Sequence, residues 1–148
     1  DKVKGQKGVL SVEKKLFVET NNGTNRQIRP ITPEQPLRIG DKVIVRLTIR
    51  TDREMNYVFL KDLRAGCFEP ADQLSGPESR DGIWYYRSPK DVSENFFINR
   101  LPEGTFVLEY PVYVSRSGEY AGGISTIQCM YAPEFVSHTA GESLRIMP

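Results

Sequence analysis

The sequence predicts an all-β fold, an antiparallel β-sandwich of about seven to nine strands with little or no helix, on three observations. The first is the run from Gly104 to Ser115. There Phe106, Leu108, Tyr110, Val112 and Val114 fall on one face, and Val107, Glu109, Pro111 and Tyr113 on the other. Successive strand side chains point to opposite sides, so this is a half-buried strand with one continuous apolar face. The second is a strict alternation from Lys42 to Arg50, with Val43, Val45, Leu47 and Ile49 inward and Lys42, Arg46, Thr48 and Arg50 outward. The third is punctuation: short apolar segments recur between Gly and Pro turns, and no window carries helical spacing over three turns. Uneven strand lengths favour a sandwich over a closed barrel.

Taken in order, Val9 to Glu19 is the first strand. Leu10, Val12, Leu16 and Val18 share a face that Lys14 interrupts, which reads as an edge strand guarded by charge. Asn21-Asn22-Gly23 makes a turn, and the three prolines between Ile28 and Pro36 exclude a central strand. Leu37 to Lys42 turns the chain into the Lys42–Arg50 strand. The polar turn Thr51 to Glu54 leads to Tyr57-Val58-Phe59-Leu60-Lys61-Asp62-Leu63. Ala65 to Gly82 reads as a long loop, and Ser88 to Asn95 leaves room for one helical turn. Ile83 to Arg87, Phe96 to Leu101, Thr105 to Ser115, Ile124 to Tyr131 and Ser143 to Ile146 complete the strands. Pro102-Glu103-Gly104 has favourable turn chemistry.

At 148 residues the chain suits one domain over 1–148, a size that buries roughly 70% of its unfolded surface. Lys and Arg number 20 against 19 Asp and Glu, a net charge of +1. That balance gives no electrostatic reason to expect nucleic acid or an acidic membrane as partner. No apolar segment approaches the roughly 20 residues of a bilayer crossing. The opening Asp1-Lys2-Val3-Lys4 and the abrupt close at Met147-Pro148 suggest a segment of something longer.

No constellation of catalytic or metal-binding residues stands out, so no catalytic residue, metal or cofactor is expected. His138 is the single histidine, reads as a surface or edge residue, and no Gly-x-Ser-x-Gly accompanies it. One His with two distant Cys lacks a compact zinc-ligand pair. The pairs Asp52/Glu54 and Glu69/Asp72 read as solvated turn residues rather than an acid–base couple. Cys67 and Cys129 leave two readings open, a disulfide or two buried thiols. The aromatic cluster is the one feature suited to binding. Trp84 and Tyr86 oppose Tyr85, and Phe97 opposes Phe96. One set lines the core; the other, Trp84, Tyr86 and Phe97, is either an exposed contact surface or covered by the Ala65–Gly82 loop. The loop from Cys67 to Leu74 is a second candidate contact.

Several words follow one another in a distinctive order: Asp62-Leu63-Arg64-Ala65-Gly66-Cys67-Phe68-Glu69-Pro70, Asp81-Gly82 with Tyr85-Tyr86, Phe96-Phe97, Leu101-Pro102-Glu103-Gly104-Thr105, and Met130-Tyr131-Ala132-Pro133-Glu134-Phe135. Together they resemble the C-terminal, tenth macroglobulin-like domain of bacterial alpha-2-macroglobulin proteins, in a Bacteroidetes-type version. The resemblance implies a macroglobulin-like, immunoglobulin-like sandwich at the end of a large protease trap that is secreted, periplasmic or held at the cell envelope as a lipoprotein. It implies a non-enzymatic docking part whose partners are the other domains of its parent, the thioester-type domain above all, with proteases met only through the parent. Cys67 and Cys129 stand outside any Cys-x-x-Gln thioester motif. The rival expectation is a carbohydrate-binding or adhesion module, with Trp84 and Tyr86 stacking on sugar rings.

Overall fold

The computed structural model describes residues 9–22, 25–71, 76–80, 82–90 and 92–148. Within them the chain forms β1 (Leu10–Asn22), β2 (Asn25–Pro30), β3 (Leu37–Arg38), β4 (Lys42–Thr51), β5 (Met55–Leu63), β6 (Phe68–Pro70) and β7 (Gly76–Arg80). Then follow β8 (Ile83–Pro89), β9 (Ser93–Leu101), β10 (Gly104–Val114), β11 (Gly118–Ala121), β12 (Ser125–Cys129), β13 (Val136–His138) and β14 (Ser143–Met147). The described residues contain no helix. The strands are more numerous than expected because short ones, such as β3, β6 and β13, pair along sheet edges.

A five-stranded sheet runs β2-β1-β4-β10-β6 and a six-stranded sheet runs β13-β12-β5-β9-β8-β7. A small third sheet, β11-β14-β3, contains the one parallel pairing among the described residues, β14 with β3. The long central strands dictate the rest. Val43, Val45, Leu47 and Ile49 of β4 are buried, and in register beside them lie Leu108, Tyr110 and Val112 of β10. Across the layer they meet Val58 and Leu60 of β5, Phe96 and Ile98 of β9, and Ile127 of β12, in one continuous core. Tyr110 and Phe96 bridge the layers with ring centroids 6.1 Å apart.

Pro111 sits inside a long strand without breaking it. Its carbonyl accepts from Ala71 N at 3.4 Å, on the side away from β4. A strand residue's N–H and C=O point the same way, so the missing N–H falls on the β6 side. There β6 ends at Pro70, opposite Val112, and the ladder to β4 loses nothing.

Three expectations change. Lys14 does not mark a solvated edge: it points between the sheets, and its ammonium lies 2.7 Å from buried Asp62. Ala65 to Gly82 is not a plain loop. It carries β6 on the edge of one sheet and β7 on the edge of the other, so β7 extends the aromatic strand β8. Ser88 to Asn95 contains no helical turn among its described residues; β8 and β9 pair there as neighbouring antiparallel strands. Gly23, in the expected first turn, and Asp72 lie outside the described residues.

Candidate functional site

Alternation on β8 and β9 divides the aromatic cluster between two faces. Tyr85 and Phe96 turn inward and meet edge-to-face, centroids 5.7 Å apart. Trp84, Tyr86 and Phe97 turn outward and are 70%, 47% and 45% exposed. The pairing aligns them further: Tyr86 lies opposite Phe97, Phe97 opposite Phe59, and Phe59 opposite Gln128. One row of side chains thus crosses β8, β9, β5 and β12. Phe59 and Phe97 stack within it at 4.8 Å and 29°. Trp84, two residues along β8, borders an open groove with Tyr86, Phe97, Asn99, Arg100 and Pro102. Arg100 is held by Glu54 at 3.1 Å. Neighbouring strands of a sheet stand about 4.8 Å apart, so the rings form a flat, ordered strip. Sequence reasoning named Trp84, Tyr86 and Phe97. It missed Phe59, which only the strand pairing adds.

Near the start of β5, Tyr57 is the only non-glycine residue with positive φ (61°) among the described residues. An aromatic residue in that region is strained by about 1–3 kcal/mol. Its carbonyl accepts from Met130 N at 2.8 Å, and its ring meets Tyr131 at 4.9 Å.

Between the layers lies a polar cluster that periodicity did not reveal. Asp62 is fully buried. Its carboxylate takes Lys14 Nζ, the Ser125 hydroxyl at 2.7 Å and the Tyr110 hydroxyl. Lys14 also donates to the carbonyls of Leu63 (3.2 Å) and Gly123 (3.0 Å). Beside this, buried Glu94 is bracketed by Arg87 and by Arg64 Nη1 at 2.9 Å. Arg64 Nε and Nη2 are buried and make no hydrogen bond. Burial pushes the Glu94 carboxyl up despite both arginines. Burial, then Asp62, pushes the Tyr110 phenol well above its usual value. The signal that could have found the cluster is Lys14 and Asp62 standing on otherwise apolar faces.

Apart from Arg64 Nε and Nη2, these charged groups pair with one another inside the sandwich, and such a network fixes how the two layers meet. His138 lies exposed on edge strand β13. Asp52 pairs with Arg53 and Glu54 with Arg100, each as an exposed ion pair. Among the described residues no three His, Cys, Asp or Glu could hold a metal ion. Of the two readings left open for Cys67 and Cys129, the structure has them as free, buried thiols. Cys129 pairs opposite Val58 near the start of β5. Cys67 follows the other end, where its carbonyl accepts from Ser115 N at 2.8 Å. A bridge needs Cα atoms within about 7 Å.

The family model that matches is described as the bacterial alpha-2-macroglobulin MG10 domain, and it covers residues 10–134. The chain belongs to the bacterial MG10 domain family. Solved structures repeat the fold. A mutant Salmonella alpha-2-macroglobulin superposes with a TM-score of 0.73 at 21% identity, over 95% of this chain and 9% of that one. Escherichia coli alpha-2-macroglobulin activated by porcine elastase gives 0.74 at 18% identity, over 95% and 13%. The native E. coli protein from domain MG7 to the C-terminus gives 0.70 at 17%, over 95% and 24%. A curated relative, circularly permutated Ras protein 2 of Dictyostelium discoideum, is 28% identical over 109 residues, 74% of this chain but 3% of its own length. The MG10 domain therefore spans a small fraction of each protein it resembles.

Proposed function

We propose that this MG10 domain is a non-catalytic docking part of an alpha-2-macroglobulin-like protease trap, working in the periplasm or cell envelope as the single domain 1–148. Its partners on this reading are the other domains of the parent chain, the thioester-type domain among them, and proteases are met through the parent. The family match over residues 10–134 carries the reading. The chemistry of the chain supports it: buried charges are consumed in internal pairs, while Trp84, Tyr86 and Phe97 on β8 and β9 turn rings suited to contact outward. Rigid sheets that present surface to neighbours are what an interaction module requires.

The test removes this domain from the full-length parent and measures protease captured per molecule. Capture is expected to fall to background, with the remaining domains still folded by circular dichroism. Undiminished capture would end the proposal.

A second reading, a carbohydrate-binding or adhesion module, draws on the groove beside Trp84, where flat rings and Asn99 lie together. It predicts saturable retention on glycans that Trp84→Ala abolishes. Absence of retention on a broad glycan array removes it.

A further inference from the structure

The two outer faces of the sandwich differ in kind. On the five-stranded sheet, Arg46 pairs with Glu109 at 2.6 Å, Lys42 with Glu19 at 3.3 Å and Arg50 with Glu13 at 3.3 Å. Arg46 also covers the Phe17 ring at 4.6 Å. That face is tiled with paired charge, the ordinary surface of a solvated sheet. The corresponding face of the six-stranded sheet carries the row Tyr86, Phe97, Phe59, with Trp84 beside it. Trp84, Tyr86 and Phe97 of that face stay exposed and Phe59 is half-buried beside them, while β7 pairs at the sheet edge.

Resting on the docking reading above, we infer that the Trp84–Tyr86–Phe97–Phe59 face docks an apolar, uncharged surface of another module of the same polypeptide. Area selects that occupant. An aromatic side chain offers about 150–250 Å², so the exposed fractions of Trp84, Tyr86 and Phe97 leave about 350 Å² uncovered. A second copy meeting the same patch would bury about 700 Å² in all, below the roughly 1,200 Å² at which stable interfaces between free molecules begin. A module tethered in one chain needs less, because its effective concentration is high. Proteins of the same fold give it ample neighbours, for this domain covers 9% to 24% of their chains. A glycan fits less well. Sugar hydroxyls need convergent polar groups, and in this groove Arg100 is already held by Glu54.

The test uses the full-length parent carrying p-benzoylphenylalanine in place of Phe97, irradiated and mapped by mass spectrometry, together with hydroxyl-radical labelling of the unmodified protein. Cross-links within one chain are expected, to apolar residues outside 1–148. Trp84 and Tyr86 should label about tenfold less than in the denatured protein, as the core of a formed interface does. Cross-linked dimers, or loss of the cross-link on adding soluble oligosaccharide, would overturn the choice of partner. Trp84 and Tyr86 labelled as in the denatured chain would overturn the contact itself. Protease capture that depends on this domain, together with full labelling of the rings, leaves the docking function standing and removes only this face. Capture indifferent to the domain removes the function on which the inference rests.

Discussion

Asp62 is the residue on which the interior turns. It sits where two apolar sheets meet, and a buried carboxylate is tolerated only when paired and hydrogen-bonded. Lys14, Ser125 and Tyr110 supply those partners from β1, β12 and β10, so one side chain ties both sheets together. Lys14→Met leaves the charge without its cation and is expected to cost about 3–5 kcal/mol in urea unfolding. Combining it with Asp62→Leu should recover much of that loss, since an apolar pair replaces a broken ionic one. Tyr110→Phe keeps the ring and strands one carboxylate oxygen, for about 1–3 kcal/mol. Glu94 predicts a pH dependence. Its folded pKa is raised above the unfolded value, so the folded chain holds the proton more tightly. The stability it contributes is complete below the unfolded value of about 4.3 and is lost as pH rises through the folded one. Urea midpoints measured across that window should fall with pH in the wild type and change less in Glu94→Gln.

At the scale of elements, close approach explains what pattern does not. A Cβ added at Gly123, just before β12, would collide with the Leu63 carbonyl oxygen at the end of β5. Both Gly123 and Leu63 present their carbonyls to Lys14. Gly123→Ala must push backbone apart where the buried cluster is anchored, and a loss of about 3 kcal/mol or more is expected in the same unfolding assay. Pro111→Ala is the contrasting case. The proline's missing N–H faces the side where β6 stops, so the change should stay within about 0.5 kcal/mol. The strands β4 and β10 were legible because long, strict alternation leaves little ambiguity, whereas the start of β9 at Ser93 was not. β6 and β7 were not, because strands of three to five residues among Gly and Pro carry no readable period. They exist because longer neighbours offer an open edge. Lys14 was misread for a related reason: a charge on an apolar face looks the same whether it meets water or a partner.

For the whole molecule, the proposed docking face predicts that stability and function respond to different substitutions. Trp84 is mostly exposed and packs on little within the domain, so Trp84→Ser should leave the unfolding midpoint of this chain unchanged within about 0.5 kcal/mol. In the full-length parent the same substitution should lower protease capture, measured as protease retained per molecule. Core residues such as Leu47 behave oppositely, since a buried leucine removed from a packed interior costs about 2–5 kcal/mol wherever the domain resides. The outward pair Trp84 and Tyr86 was visible in sequence because i, i+2 residues share a strand face. That Phe97 and Phe59 complete the same row depends on register between strands distant in the chain.

The amino-acid sequence by itself determined the all-β class, the inward faces of β4 and β10, and the words that place the chain among MG10 domains. These follow from local periodicity and local turn chemistry, which a strand carries wherever it ends up. Tertiary structure decided that Lys14 reaches Asp62, that Cys67 and Cys129 stand apart, and that four aromatic residues align. Each depends on which strands lie side by side and in what register. That choice is made by closing one common core, and no single segment encodes it.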